Sequence, residues 1–491
     1  MLVWSHYQLM WADEFCALLT DGVPQLTRVI HIQATTPLSL DPLVYNVCAH
    51  VAIDVFGAGA FAIRLPSMCG YLLMQICLFY FVRRITSERA ATFAMAFPAL
   101  VGVVSYSVQA RPYGLLLGLS ALAILCWQTV TRRESNRAVA LAALFLSILL
   151  VINTHFYGVL LLVPLCTAEL FRTMDRRRVD LPVVSAIVGA AIAGILLLIP
   201  FAKAVLKFSS HYFETGVNYH FVLHSYPWLL LGYVVAMSAF MQHVVGAVFC
   251  LLTIALVVAC VHVEKTTSTL VPKAELVFLV TLAALPFFGY VLARTVTKVI
   301  DARYILPSII GLTALLAILL GPLLQRKTAG RVVLALLFLC IVGADLWHID
   351  MERKEAQATM ASLVLSAVTK SKLVARAPQP IYVINPSVFF IVSHYSPSAD
   401  IRSRLTLVYS WDAELLNQHS DHLSRTGSNM RADGIRNVEP YEPLTAHGAE
   451  RLFLLYHNSW DWSDRALAAA HAELTYLGPA FGGDLVSVRF P

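Results

Sequence analysis

The sequence predicts a mainly α, polytopic membrane helix bundle followed by a C-terminal soluble α/β domain. Three observations lead there. Of 491 residues, 58% are apolar and only 13% charged, against roughly 45–50% and about 25% in an average soluble domain. The mean hydropathy is +0.69. The apolar residues come in blocks that stop at Trp347, and from His348 to Pro491 charged residues recur throughout. That tail is about 140 residues, an ordinary domain size. A soluble globular chain, a disordered chain and a coiled coil are excluded at this step.

A membrane-spanning helix needs about 20 mostly apolar residues. The blocks predict ten spans, at 61–82, 90–107, 113–131, 138–154, 157–171, 181–201, 243–262, 274–293, 304–323 and 331–347. Lys and Arg set their direction. Alternate loops hold Arg83, Arg84, Arg89, Arg132, Arg133, Arg137, Arg172, Arg176, Arg177, Arg178, Lys265, Lys273, Arg326, Lys327 and Arg331, while the longer intervening loops hold only Arg28, Arg64, Arg111, Lys203, Lys207, Arg294, Lys298 and Arg303. The first set is expected in the cytoplasm. The net charge of +6 is thereby explained by topology, and no nucleic-acid motif accompanies it.

Three domains follow: an extracytoplasmic loop with surface helices at 1–60, a transmembrane domain at 61–347, and an extracytoplasmic soluble domain at 348–491. This topology leaves residues 1–60 outside without a span to carry them there, so a first transmembrane helix is expected upstream of Met1. Within this segment, Asp13–Leu19 and Leu43–Val55 read as helices, the second too short to span and suited to lie along the membrane surface. The tail reads as strands at Ile381–Ile384, Leu405–Val408, Leu452–Tyr456 and Leu485–Phe490 between helical stretches. Most of the nine cysteines sit inside apolar blocks, with neither a disulfide framework nor metal-type spacing.

The candidate chemistry lies on the expected outer face. Asp13 and Glu14 open a helix, where carboxylates favour the dipole, or supply a general base at the membrane surface. Arg111 and Tyr113 stand in a short turn between spans, as does His155. The segment 202–242 interleaves aromatics, His, Lys203 and Lys207, fitting an interfacial belt or a groove for a lipid with an anionic head. Arg294, Lys298 and Arg303 gather in the last outer turn.

Four motifs in order resemble one family. Trp11-Ala12-Asp13-Glu14 resembles its Asp-Glu motif, and Asp41-Pro42-Leu43-Val44-Tyr45 its His/Asp-Pro-Pro-Leu-Tyr helix, followed by Arg64-Leu65-Pro66. Gln109-Ala110-Arg111-Pro112-Tyr113 resembles its Glu-Ala-Arg-x-Tyr turn, with Gln in place of Glu, and Arg303-Tyr304-Ile305-Leu306-Pro307 its Arg-Tyr-x-Leu-Pro motif. The family is the GT-C-type glycosyltransferases that use polyprenyl-phosphate sugars, which include protein O-mannosyltransferases and lipid A aminoarabinose transferases. The resemblance runs from Trp11 to Leu323 and leaves the tail uncovered.

It implies an integral enzyme of a bacterial inner (cell) membrane. That enzyme would move a hexosyl or pentosyl unit, with inversion, from a polyprenyl-phosphate carrier to an extracytoplasmic glycan, lipid or protein acceptor. Asp13 is the expected base. Glu14 and Asp41 would orient the acceptor or bind a divalent ion. Arg64, Arg111 and Arg303 are expected on the phosphate, with Lys203 and Lys207 behind them, because a guanidinium fork binds two oxygens. Tyr45, Gln109, Tyr113, His155 and Tyr304 are expected to line the substrate. Two other classes compete: a transporter or flippase, which usually carries mid-membrane charge and paired broken helices, and a non-catalytic scaffold presenting the tail.

Overall fold

The computed structural model describes the chain except residues 133–135, 209–216, 233–238, 267–270, 375, 377, 419, 446, 447, 449 and 457–461, and except the side chains of 207, 208, 239, 240 and 261–266. Arg133 and the side chains of Lys207 and Lys265 therefore lie outside the described residues.

Four short helices precede the bundle: α1 (Leu2–Tyr7), α2 (Ala12–Asp21), α3 (Leu26–Thr35) and α4 (Leu43–Phe56). The sequence marks α2 and α4; α1 and α3 are additions. Gly57, at φ 85°, ends α4 in a left-handed conformation that glycine adopts without strain. The bundle follows as α5 (Ala60–Arg83), α6 (Glu88–Ala96), α7 (Tyr113–Thr131), α8 (Arg137–Thr154), α9 (Leu162–Arg176), α10 (Leu181–Phe208), α11 (His220–Leu231), α12 (Ala239–Thr266), α13 (Lys273–Ala283), α14 (Leu285–Leu292), α15 (Ser308–Gln325) and α16 (Lys327–Ser362).

Eight helices are long and apolar enough to cross a membrane, and the count reaches ten if two bent pairs each form one span. Those pairs, Glu88–Leu100 with Gly102–Val108 at 74° and Lys273–Ala283 with Leu285–Thr297 at 54°, replace the straight spans expected at 90–107 and 274–293. Pro98 stands in the first pair before its break, and Pro286 at the start of the second helix of the other; proline cannot donate to the preceding turn. Leu196, Leu197, Leu251, Val258, Phe338 and Leu339 point outward from α10, α12 and α16, as lipid-facing residues do. The protein is an integral membrane protein.

The closest helix crossing joins α5 and α7 through glycine. A Cβ on Gly118 would strike the Gly70 carbonyl, and one on Gly114 the Ser67 carbonyl. Small residues let two backbones touch where lipid supplies no hydrophobic push. Gly118→Leu is expected to force α5 and α7 apart and abolish recovery of monodisperse protein, whereas Leu122→Ala, at a partly buried position of the same helix, leaves it monodisperse. Size-exclusion chromatography in detergent checks both.

Chain parity places all four motifs at one end of the bundle. The start of α7, the end of α8 and the start of α15 meet there. At the opposite end the basic loops close ion pairs: Arg132 to Glu275 at 2.8 Å, Arg137 to Asp180 at 2.5 Å and Arg172 to Glu169 at 2.5 Å.

The helix α16 runs unbroken from Lys327 to Ser362, through the expected boundary at His348, and leads into the C-terminal domain. There α17 (Ala367–Val374), β1 (Ile381–Val383), α18 (Pro386–Tyr395), α19 (Ala399–Arg404), β2 (Leu405–Tyr409), α20 (Trp411–Gln418), α21 (His422–Ala432), β3 (Val438–Pro440), β4 (Glu450–Leu455), α22 (Ser463–Ala469), β5 (Glu473–Ala480) and β6 (Gly483–Arg489) build an α/β fold. The sheet order is β3-β2-β1-β4-β6-β5, with β1 to β4 parallel and β5 and β6 antiparallel to their neighbours. The four expected strands are present; β3 and β5 are additional. Strand β5 escapes the alternation rule because its first four residues, Glu473–Tyr476, are all exposed on an edge.

Candidate active site

The site is built outward from a buried ion pair. Glu14 and Arg64 are both fully enclosed and meet through a two-pronged contact, Nε to Oε1 at 2.8 Å and Nη2 to Oε2 at 2.6 Å. Glu14 Oε1 also accepts from the Ala110 N–H at 2.7 Å, and Oε2 from the Trp11 N–H at 3.4 Å. This one carboxylate ties α2 to α5 and to the backbone just before Arg111. Arg64 Nη1 donates to the carbonyls of Ser5 (2.7 Å) and Gln8 (3.0 Å), and Nη2 also to that of Leu9 (3.3 Å). The expectation that Arg64 holds phosphate and Glu14 orients the acceptor finds no support in these surroundings, because each is spent on the other and on backbone. A lone sequence motif does not reveal that an Arg one turn into a helix points inward.

Breaking a buried pair leaves an uncompensated charge and costs about 3–5 kcal/mol. Glu14→Gln is therefore expected to lower the unfolding temperature sharply in detergent. Unchanged stability with lost lipid-phosphate binding would return Arg64 to the phosphate.

The pair fixes Asp13 against Arg111. Arg111 Nη1 lies 3.0 Å from Asp13 Oδ2 and Nη2 lies 3.6 Å from Asp41 Oδ2. The Arg111 backbone is pinned by Ser67, whose Oγ donates to its carbonyl. Asp13 keeps 36% of its side chain exposed, Arg111 only 12%. Asp41 is buried, its carbonyl held by Gln33 Nε2 at 2.6 Å. Burial raises the Asp41 pKa, and Arg111 pulls it back down.

Aromatic side chains form the next wall. Tyr113 Oη accepts from Arg111 Nη2 at 3.4 Å, and its ring lies under both guanidinium groups, 5.6 Å from Arg111 and 5.9 Å from Arg303. His155 packs 4.9 Å from the Tyr304 ring and 5.7 Å from Tyr113. Its Nδ1 accepts from the Tyr157 N–H at 3.1 Å, so the proton sits on Nε2, 4.0 Å from Asp41 Oδ1. Burial and then the charges of Arg111 and Arg303 lower its pKa to about 3, which keeps the ring neutral.

Arg303 is the open cation. Asp301 Oδ1 accepts from its backbone N–H at 3.0 Å and Asp301 Oδ2 stands 3.5 Å from its Nε, which orients the guanidinium. Its two Nη groups make no hydrogen bond among the described residues. Sequence reasoning missed Asp301, whose signal is the Asp-x-Arg spacing, and Tyr157, whose hydroxyl meets Thr297 and Val299 and holds the loop before Asp301.

Of the other expected residues, Tyr304 joins the cluster by packing against His155, with the rings 4.9 Å apart and tilted by 47°. Gln109, two residues before Arg111, is half-buried, with no side-chain hydrogen bond among the described residues. Tyr45 does not join: it is buried and donates to the Ile63 carbonyl. Lys203 is exposed on α10, and no hydrogen bond or ion pair links it to the cluster. Among the described residues no group of three or more His, Cys, Asp or Glu is arranged to hold a metal ion.

Residues 41–203 match the family model of dolichyl-phosphate-mannose-protein mannosyltransferases. No curated protein matches by sequence. Among solved structures, ArnT from Cupriavidus metallidurans in the apo state superposes with a TM-score of 0.60 at 12% identity, covering 99% of this chain and 96% of ArnT. The fold is that of a GT-C glycosyltransferase. A second ArnT structure, bound to undecaprenyl phosphate, gives a TM-score of 0.51 at 15% identity over 99% and 96% of the two chains. The GT-C likeness thus extends over the C-terminal domain, which the sequence motifs leave uncovered.

Proposed function

We propose that the protein transfers a sugar from a polyprenyl-phosphate carrier to an acceptor hydroxyl, with Asp13 as general base. One observation carries the reading. A partly exposed carboxylate, Asp13, is paired with Arg111, and Arg111 and the uncommitted guanidinium of Arg303 both lie over the Tyr113 ring. The family match over 41–203 and the polyprenyl phosphate bound by ArnT support the donor class.

The chemistry follows from charge. The acceptor hydroxyl gives its proton to Asp13 as its oxygen attacks the anomeric carbon. The bond from that carbon to the phosphate oxygen breaks, and the carrier leaves as a phosphate monoester with one more negative charge. That charge develops beside Arg303, assisted by Arg111 as it shifts from Asp13 toward the phosphate. The leaving group needs no protonation. Attack from the Asp13 side and departure on the Arg303 side invert the anomeric centre.

Neutral His155 donates through Nε2 to Asp41 or to a sugar hydroxyl, and Gln109 and Tyr304 line the same space. The basic loops at the other end of the bundle support a cytoplasmic location for that end, and with it an outer location for the site and the C-terminal domain.

The reading is tested with purified protein in liposomes and a panel of labelled polyprenyl-phosphate sugars. Release of polyprenyl phosphate with transfer of label to a membrane lipid or glycan fraction is expected for one donor. Flux of intact donor across the bilayer without bond cleavage would favour a flippase.

A further inference from the structure

Helix α2 carries Asp13 in its first turn and ends on Asp21. The side chain of Asp21 is buried, as are those of Asn46 and His50 on α4. Asn46 Nδ2 donates to Asp21 Oδ1 at 2.8 Å. His50 Nδ1 lies 2.8 Å from the Asp21 carbonyl, which can only accept, so the imidazole donates. These two bonds clamp the C-terminal end of α2 to α4. The C-terminal domain holds the same segment: Tyr395 Oη accepts from the Met10 N–H at 3.0 Å, Phe390 stacks on Phe15 at 5.3 Å, and Asn429 of α21 donates to the Pro37 carbonyl at 3.0 Å. Asp13 therefore stands on a helix whose position is set by its packing partners, with Asp21 as the contact to α4.

The Asp21 carboxyl is incomplete as an anion. It makes no ion pair among the described residues, and both its Oδ2 and Asn46 Oδ1 lack a hydrogen-bond partner. Two unsatisfied acceptors thus sit on the two partners of one hydrogen bond. An enclosed carboxylate without a counter-charge is so costly that it takes up a proton instead. That proton supplies the missing donor, since a carboxylic acid has one O–H to give. The acid donates to the Asn46 oxygen while the Asn46 N–H donates back, which closes an acid–amide pair. Burial drives the Asp21 pKa well above the usual carboxylate range; the Asn46 hydrogen bond offsets part of the rise and Asp41 adds to it.

The titratable groups around α2 leave Asp21 without a cation. From α4 come Tyr45 and His50, with Asp54 3.5 Å from His50 Nε2, and from α18 His394 and Tyr395. Arg64 of α5 is taken by Glu14, and Arg111 by Asp13 and Asp41. On α3, Arg28 donates to the Asp433 carbonyl, and His31 is exposed and acts on the Asp433 carboxyl.

We propose that Asp21 is a neutral carboxylic acid whose hydrogen-bonded pair with Asn46 is a pH-sensitive lock on the helix that carries Asp13. Loss of the proton leaves a bare charge in an enclosed place, loosens the end of α2 from α4 and lets Asp13 drift from Arg111. The effect on transfer rests on the reading of Asp13 as the base; the protonation of Asp21 does not. The folded chain holds a proton that the unfolded chain has already released, so the contribution of Asp21 to stability falls as pH rises from the ordinary carboxylate range to its raised pKa, and is level above it.

The test compares the wild-type full chain with Asp21→Asn in detergent. Asparagine repeats the pair with an N–H in place of the acid O–H and has nothing to titrate. Two readouts are independent of catalysis. The infrared difference spectrum at neutral pH is expected to show one protonated-carboxyl C=O band present in the wild type and lost in the variant. The unfolding temperature of the wild type is expected to fall with rising pH relative to the variant, the ratio of their unfolding constants changing about tenfold per pH unit until Asp21 has titrated. The third readout is transfer, with the labelled donor and a total membrane lipid extract as acceptor source. Near neutral pH the variant is expected to match the wild type within about twofold, and its alkaline limb to lie higher by about one unit or more. Should Asp21→Asn not fold, Asn46→Leu carries the infrared test: loss of the amide moves the same band to higher frequency, and an unchanged spectrum overturns the pair. Absence of the difference band, or the same pH dependence of both unfolding temperatures, overturns the neutral acid. A band present with an unmoved alkaline limb overturns the lock. Transfer that survives Asp13→Asn overturns the base reading instead, while the infrared and unfolding readouts still decide the state of Asp21.

Discussion

Asp13→Asn is expected to slow sugar transfer roughly 10²–10⁴-fold, the usual span of general base catalysis. The substitution keeps the shape of the side chain and an oxygen that accepts from Arg111, now 3.0 Å away. It removes only the ability to take a proton. Glu14, the neighbouring acid, does not substitute, because it is fully buried and paired with Arg64. Undecaprenyl phosphate affinity is expected to stay near the wild-type value or rise, since Arg111 is released from a competing carboxylate. Turnover near wild type in matched preparations would remove Asp13 from the mechanism and pass the role to Asp41, which faces the same guanidinium at 3.6 Å.

Arg303→Ala is expected to show the opposite signature, with lipid-phosphate affinity falling about 10–100-fold, as suits the loss of charge-assisted hydrogen bonds. Two features make Arg303 the larger contributor. Its Nη groups are uncommitted among the described residues, whereas Arg111 is already engaged by Asp13 and Asp41. It also lies over the rings of Tyr113 and Tyr304, at 5.9 and 5.8 Å, which favours a positioned cation. Arg303→Lys keeps the charge and loses the fork, so it should recover only part of the affinity. Binding of labelled undecaprenyl phosphate to the purified variants separates the three cases. Equal affinity in all of them would move the phosphate away from Arg303.

Much of this fold was legible in the sequence because hydropathy is a local property. Blocks of about 20 apolar residues mark helices wherever they fall, and α5, α7, α8 and α15 lie close to their expected bounds. The bends were hidden, since the mean hydropathy of a window does not register the breaks after Leu100 and before Leu285. The small helix α3 was hidden for a related reason: ten residues of mixed polarity carry no span signal.

The site divided along the same line. Motif order brought Asp13, Asp41, Arg111, Tyr113, Arg303 and Tyr304 to one place, with His155 from a short outer turn, and they are found together. What a motif does not encode is which member faces the cavity. Arg64 and Tyr45 sit in motifs as prominent as those of Arg111 and Tyr304, yet both turn inward to satisfy buried partners. The contribution of the C-terminal domain was invisible for a third reason. Tyr395 and Asn429 lie 385 and 392 residues along the chain from Met10 and Pro37, and only the folded chain sets α18 and α21 on that segment.

The most direct measurement is a cryo-EM structure of the protein with undecaprenyl phosphate bound. The phosphate is predicted within hydrogen-bond reach of the Arg303 Nη groups, with Arg111 drawn toward it, the Tyr113 ring beneath and Asp13 freed to face the C-terminal domain. A phosphate seated elsewhere, on Lys203 or in a groove that leaves the Asp13–Arg111 pair undisturbed, would contradict the account.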